Sequence, residues 1–298
     1  MVSKKARLSR SDAVYYLVAY TIVSVLVLLV LYPMVFIVSA SFSTAASVNA
    51  GRVWLLPVNT TVYNYRMVFQ YNSVYIGYRN TIFYTFAGTV INVIVTLLCA
   101  YPLSRKDLYG RGFFTFLFAF TMIFSGGMIP SYILMRNLKL LNTIWAMIIP
   151  GALSVYNMVI TRTYFQTSIP GELLEASKLD GCTDAQYFFS VLIPLSNSII
   201  AVITLFYAVG HWNAYFNAFL YLSNRNLYPL QLFLRQILVQ NQFSADILTD
   251  PEMAEQLLGI QEVLKYAIIV VSTVPLMCFY PFAQKHFVKG VMIGSLKG

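Results

Sequence analysis

The sequence predicts an all-α, polytopic integral membrane protein with six transmembrane helices, and three observations carry that expectation. First, 58% of the 298 residues are apolar and only 10% are charged, with a mean hydropathy of +0.68, whereas a soluble domain is about one quarter charged. Second, six runs match the roughly 20 apolar residues that about 30 Å of hydrocarbon demands at a rise near 1.5 Å per residue. They are residues 13–41, 80–103, 113–135, 144–163, 195–222 and 263–283. Third, all eleven acidic residues lie outside these runs: Asp12, Asp107, Glu172, Glu175, Asp180, Asp184, Asp246, Asp250, Glu252, Glu255 and Glu262. The cost of an unpaired carboxylate in lipid requires that placement.

The first run follows a basic stretch, and Val38-Ser39-Ala40 superficially resembles a signal-peptidase site. The apolar run is too long for an ordinary signal peptide, so an uncleaved first helix is expected. With the N-terminus inside, the inner segments hold Lys4, Lys5, Arg7, Arg10, Arg105, Lys106, Arg111, Lys178, Lys285, Lys289 and Lys297, with Arg162 at an edge. Of the other eight basic residues, five are spread over the two long outer segments, Arg136 and Lys139 lie in the short one, and Lys265 falls at the start of the sixth run. Basic residues favour cytoplasmic loops, which places both termini in the cytoplasm. The chain then divides into a tail (1–12), a membrane domain (13–283) that includes a cytoplasmic loop (164–194), and a second tail (284–298).

The net charge of +9 sits at helix flanks, where anionic headgroups account for it, so nucleic acid is not an expected partner. Cys99, Cys182 and Cys278 are odd in number and scattered, which reads as neither a disulfide framework nor a metal cluster.

The inner segment 164–194 reads as two short helices. Pro170 suits a first helical turn, and Glu172 and Glu175 favour the positive end of the helix dipole. Gly181 breaks that helix, because glycine accepts a positive φ without a Cβ penalty. Thr183 and Gln186 have the spacing of a capping box that opens a second helix. From these features alone the segment is either a surface hairpin or a docking site for a cytoplasmic partner.

The residues of that hairpin carry a resemblance. The stretch EASKLDGCTDAQYFFSVLIP resembles the cytoplasmic "EAA" signature of binding-protein-dependent ABC importers. Glu175-Ala176-Ser177, Gly181, Val191, Ile193 and Pro194 keep its spacing, with Ser for the second Ala, Val for Ile and Ile for Leu. Ala100-Tyr101-Pro102-Leu103-Ser104-Arg105, Leu140-Leu141-Asn142-Thr143, Trp212-Asn213 and the terminal Lys297-Gly298 also look like maltose-type sugar permeases. Phe124-Ser125-Gly126-Gly127-Met128-Ile129-Pro130 and the ending KGVMIGSLKG resemble the subgroup for alginate-, pectin- or other uronate-rich oligosaccharides.

The resemblance implies a type I ABC importer permease fold (MetI/MalG-like) and a non-enzymatic transport subunit that imports oligosaccharides. It implies four kinds of partner: a homologous second permease, two cytoplasmic ATPase subunits, an extracellular or periplasmic solute-binding protein, and the oligosaccharide. It also assigns ATPase coupling to Glu175 as a charged contact, Ala176 and Ser177 as small residues allowing close approach, Gly181 as the turn, and Pro194 as the start of the fifth span. The tail from Lys285 to Gly298 resembles one that inserts between ATPase subunits. No G-x-x-x-x-G-K-[ST] loop occurs, so ATP is expected on the partners and no cofactor on this chain.

The fifth run carries His211, Trp212, Asn213, Tyr215 and Asn217, aromatic and amide groups suited to a sugar's apolar faces and hydroxyls. At 100° per residue His211 and Tyr215 share one line and Asn213 and Asn217 the opposite one, so both pairs cannot face the pathway. Asn92 in the second run is read as interhelical glue. Outside, an amphipathic stretch from Tyr228 to Phe243 is expected to meet the binding protein or to lie on headgroups. The rival reading is an ion-coupled secondary carrier. Such carriers keep ionisable groups near the midplane, where this chain offers His211 alone. External Arg52, Arg66, Arg79, Arg225 and Arg235 suit an anionic sugar. A membrane enzyme is not expected, since no HExxH or GxSxG occurs.

Overall fold

A computed structural model describes residues 9–240 and 263–278. The chain divides into two compact units, residues 1–70 with 241–271, and residues 71–240 with 272–298. Among the described residues the secondary structure is helical, apart from one isolated bridge between Ser43 and Thr60.

The first unit opens with α1 (Arg10–Ser41), which starts at a capping box of Ser9 and Asp12. From Val14 to Leu31 its large apolar side chains are exposed on every face, the pattern of a helix whose solvent is lipid. The expected outer segment 43–79 is ordered, with α2 (Ala45–Asn49) and α3 (Tyr63–Gln70). Buried polar groups knit it together. Asn64 Nδ2 donates to the carbonyls of Ser41 and Ser43, both at 3.0 Å. The Ser39 hydroxyl donates to the Leu55 carbonyl at 2.6 Å, and the Ser41 and Tyr65 hydroxyls lie 2.7 Å apart. The Asn64 bonds occupy carbonyls at and just beyond the end of α1, which the helix would otherwise leave orphaned.

The second unit is organised on α4 (Asn72–Ser104), which begins eight residues before the expected start at 80. The third run differs from expectation. Instead of one span over 113–135, α5 (Arg111–Ile123) and α6 (Met128–Asn137) meet at a bend of 114°. The cause lies in Phe124-Ser125-Gly126-Gly127, where Gly127 takes φ +86 and ψ 177, a region essentially restricted to glycine.

The fourth run is also interrupted. A short α7 (Trp145–Ile148) passes into a 3₁₀ turn over Ile149–Gly151, and α8 (Val155–Thr167) restarts at the Ser154 cap, where the Ser154 hydroxyl accepts from the Asn157 amide. Pro150 and Gly151 terminate the first piece.

The hairpin follows as α9 (Gly171–Leu179) and α10 (Asp184–Tyr187). A π turn over Phe188–Leu192 and α11 (Ile193–Leu195) continue the second arm. Widening the helix just before Pro194 relieves the clash its ring would make with the Ser190 carbonyl. The direction changes by 80° at Ser196, where α12 (Asn197–Trp212) begins. Pro194 therefore lies two residues inside the hairpin arm instead of opening the fifth span.

That fifth run is broken as well, before α13 (Phe216–Tyr221). Asn213 ends α12, its Nδ2 donating to the Val209 carbonyl at 2.9 Å, a side-chain bond that competes with the backbone ladder. The expected amphipathic stretch is α14 (Leu230–Gln240), which packs on α4 with Leu230, Leu232 and Phe233 buried. The Leu230 amide donates to Thr81 Oγ1 at 2.9 Å, so this helix is docked on its own span. The last described helix is α15 (Val263–Cys278). Residues 241–262, the end of the sixth run and both tails apart from residues 9–12 lie outside the described residues.

Candidate functional site

Two features of the second unit carry function, the hairpin and a polar cleft. In the hairpin Gly181 adopts φ +75, the left-handed turn expected of it. Thr183 and Gln186 form the capping box, the Thr183 amide donating to Gln186 Oε1 at 2.8 Å.

The two arms differ in burial. Tyr187, Phe188 and Leu192 are buried with Leu97, Ala100 and Leu103 at the end of α4, and with Met158 and Phe165 of α8. At about 1.5–3 kcal/mol for each fully buried large side chain, this anchors the second arm. By contrast α9 has no buried residue. Glu172, Glu175, Ala176 and Asp180 are exposed, and Leu179 is 90% exposed. Among the described residues Glu175 makes no ion pair.

A second clamp is electrostatic. Arg105, the C-cap of α4, is only 12% exposed at its side chain. It donates to Asp184 Oδ1 at 2.8 Å, to Asp107 at 2.9 and 2.6 Å, and to the Tyr101 hydroxyl at 2.9 Å. Lys178 of α9 lies 3.6 Å from Asp107. The Arg105 guanidinium holds the Asp107 carboxyl well below the usual carboxylate range, and its bond to Asp107 raises its own pKa further. In the sequence Arg105 stands out as one of the inner basic residues and as the end of a family-like hexapeptide. Its partner Asp184 is 79 residues away, so no local pattern links them.

The cleft has a volume of about 890 Å³. Asn92, Ser154, Asn157, Tyr207, His211 and Asn217 supply its polar lining. Asn92 Nδ2 donates to the Gly151 carbonyl at 3.0 Å and lies 3.1 Å from His211 Nε2. A carbonyl can only accept, which fixes the amide orientation, and the remaining N–H then meets a neutral imidazole that accepts at Nε2. Thr96 Oγ1 and the Tyr207 hydroxyl lie 2.7 Å apart, and Tyr207 accepts from the Ser154 amide at 3.0 Å. Gly88 makes room for the imidazole: a Cβ there would stand 2.4 Å from His211 Nε2.

The five sequence-singled residues therefore separate in a way the helical wheel does not give. His211 and Asn217 line the same cleft. Trp212 is buried and donates from Nε1 to the Ser272 carbonyl at 3.0 Å. Asn213 is exposed and bonded to its own helix. Tyr215 stacks under the Arg235 guanidinium at 5.0 Å, which also covers Phe219 at 4.7 Å. The wheel fails because the helix stops at Trp212 and restarts at Phe216.

Residues 73–293 match the model of the family described as "Binding-protein-dependent transport system inner membrane component". The chain belongs to this family. Among curated relatives, the "Polygalacturonan/rhamnogalacturonan transport system permease protein YtcP" of Bacillus subtilis (strain 168) is 40% identical over 272 residues, covering 91% of this chain and 94% of that protein. "Protein LplC" of the same organism is 38% identical, covering 89% of each. Among solved structures, a chain of "a bacterial ABC transporter involved in the import of the acidic polysaccharide alginate" superposes with a TM-score of 0.86 at 37% identity, covering 95% of this chain and all of that one. As an inner membrane component of a binding-protein-dependent transport system, the chain is a permease of the ABC importer type. The ion-coupled carrier is not favoured.

Proposed function

We propose that this permease carries uronate-rich oligosaccharides into the cytoplasm, driven by ATP hydrolysis on two partner subunits that grip α9. The observation that carries the reading is the asymmetry of the hairpin. One arm is packed against α4 and α8, while the other offers Glu172, Glu175, Ala176 and Leu179 to a partner. A push on α9 then reaches the spans through Gly181, the Thr183 cap and the buried Tyr187–Phe188 pair, with Arg105 resisting slippage.

In this reading Glu175 meets a basic group on the ATPase, Ala176 and Ser177 permit close approach, and Pro194 stiffens the arm beyond the π turn. A homologous permease completes the pathway, a solute-binding protein delivers sugar from outside, and both termini are cytoplasmic. The acidic class of substrate follows the relatives, whose names specify polygalacturonan, rhamnogalacturonan and alginate. The cleft lining is neutral, so Asn92, His211 and Asn217 serve sugar hydroxyls and not carboxylates.

The test is uptake of labelled oligogalacturonides into vesicles that hold the assembled importer and internal ATP, with the ion gradients collapsed. Uptake is expected to persist there and to fall with Glu175→Ala, which inserts normally but loses ATPase attachment. Uptake that stops with the ion gradient, or full assembly and transport in Glu175→Ala, overturns the reading.

A further inference from the structure

Away from the cleft, α5 and α8 pack together around a concentration of positive charge that no carboxylate among the described residues balances. Arg111 opens α5, and Thr115 and Phe118 follow it on the same half-buried face. Arg162 comes from α8 and donates from Nη1 to Thr115 Oγ1 at 3.4 Å, its one hydrogen bond among the described residues. Thr115 is one helical turn from Arg111, so the two guanidinium groups are neighbours across the seam, and Arg162 feels the like charge of Arg111.

Among the described residues no acidic group pairs with them. Asp107 and Asp184 are engaged by Arg105 and Lys178, and Glu172, Glu175 and Asp180 stand exposed on the hairpin. Arg162 Nε is buried with no partner. Two adjacent cations, one with a donor shielded from water and unmet by protein, demand an anion. Beyond this pair the outer faces of α5 present Phe113, Phe114, Phe116, Leu117 and Phe120, all exposed. A basic head followed by an apolar flank fits a phosphate joined to acyl chains better than a free anion.

We propose that Arg111, Arg162 and Thr115 bind the phosphate of an anionic phospholipid in the leaflet on the hairpin side. The bound headgroup joins α5 to α8 and fills a charge deficit that the chain leaves open. The site depends neither on the transported sugar nor on the ATPase assignment.

The experiment uses the assembled importer purified in mild detergent, with lipid retention read by native mass spectrometry. Mixtures of phosphatidylglycerol and phosphatidylcholine are offered, with and without inorganic phosphate. The wild type is expected to retain phosphatidylglycerol preferentially, with the preference falling about 5-fold for each arginine removed, as expected of a basic residue near an anionic surface. Arg111→Gln and Arg162→Gln supply the losses, and Arg162→Lys should keep most of the preference, which separates lost charge from lost folding. Equal retention of the two lipids, unchanged preference in the double variant, or full competition by inorganic phosphate would each overturn the proposal. So would a carboxylate of another subunit found seated between the arginines.

Discussion

Replacing Gly88 with alanine should loosen the contact between α4 and α12, and the structure gives the size of the effect. A Cβ at position 88 would lie 2.4, 2.5 and 2.9 Å from three atoms of the His211 ring. The ring must withdraw by about 1 Å to reach ordinary contact, yet it is held at Nε2 by Asn92 at 3.1 Å. Overpacking of this kind costs about 1–3 kcal/mol, and losing the Asn92 bond adds roughly 0.5–1.5 kcal/mol. Against this, alanine in place of glycine favours the helix by about 0.5–1 kcal/mol. The balance is a destabilisation of about 0.5–4 kcal/mol.

Gly210→Ala is the control, since a Cβ there meets nothing within 4 Å and only the helix gain of about 0.5–1 kcal/mol remains. The assay is unfolding of the reconstituted protein followed by near-ultraviolet circular dichroism, comparing Gly88→Ala, His211→Ala and the double variant. Removing the imidazole should relieve the clash, giving a favourable coupling of about 1–3 kcal/mol between the two sites. A neutral Gly88→Ala, or additive effects in the double variant, would refute the close approach.

Three further outcomes are expected. Arg105→Gln removes two pairs with largely exposed acids, worth about 0.2–1 kcal/mol each, and the Tyr101 bond, worth about 0.5–1.5 kcal/mol. It should leave ATPase attachment intact while uptake per ATP hydrolysed declines. Gly181→Ala meets no neighbour but must hold φ +75, costing about 1–2 kcal/mol, and co-purification of the ATPase should fall. Because Asp107 is depressed by Arg105, its contribution is complete above the ordinary carboxylate value near 3.9 and is lost only as the pH drops through the lower folded value. Hydrogen exchange in α10, corrected for intrinsic rates, should therefore stay flat from pH 8 to 5 and rise below about 4, and Asp107→Asn should abolish that acid step.

Much of the fold is legible in the sequence wherever the signal is local. The Gly181 turn and the Thr183–Gln186 capping box depend on residues within a few positions of one another, and both stand in the structure. Hydropathy locates helical segments well but does not show that three of them are interrupted. Gly127, Pro150-Gly151 and Asn213 are the residues that break them, and apolar averages smooth such short signals away. One reason is that hydropathy does not report what a helix packs against: α1, exposed throughout its apolar stretch, and α4, one third buried, both read as spans.

The candidate site divides in the same manner. Which residues of the hairpin belong together can be read from spacing alone, because an α-helix, a glycine turn and a cap are all specified by near neighbours. That Arg105 reaches Asp184, that Asn92 and His211 share a hydrogen bond from residues 119 apart, and that Arg162 meets Thr115 across the α5–α8 seam are decided only when helices pack. Sequence by itself determined the solvent of this protein, its family signature and the local geometry of its lever. The tertiary structure alone decided which polar groups meet, because hydrogen bonds act over about 3 Å and the chain brings distant residues to that range only by folding.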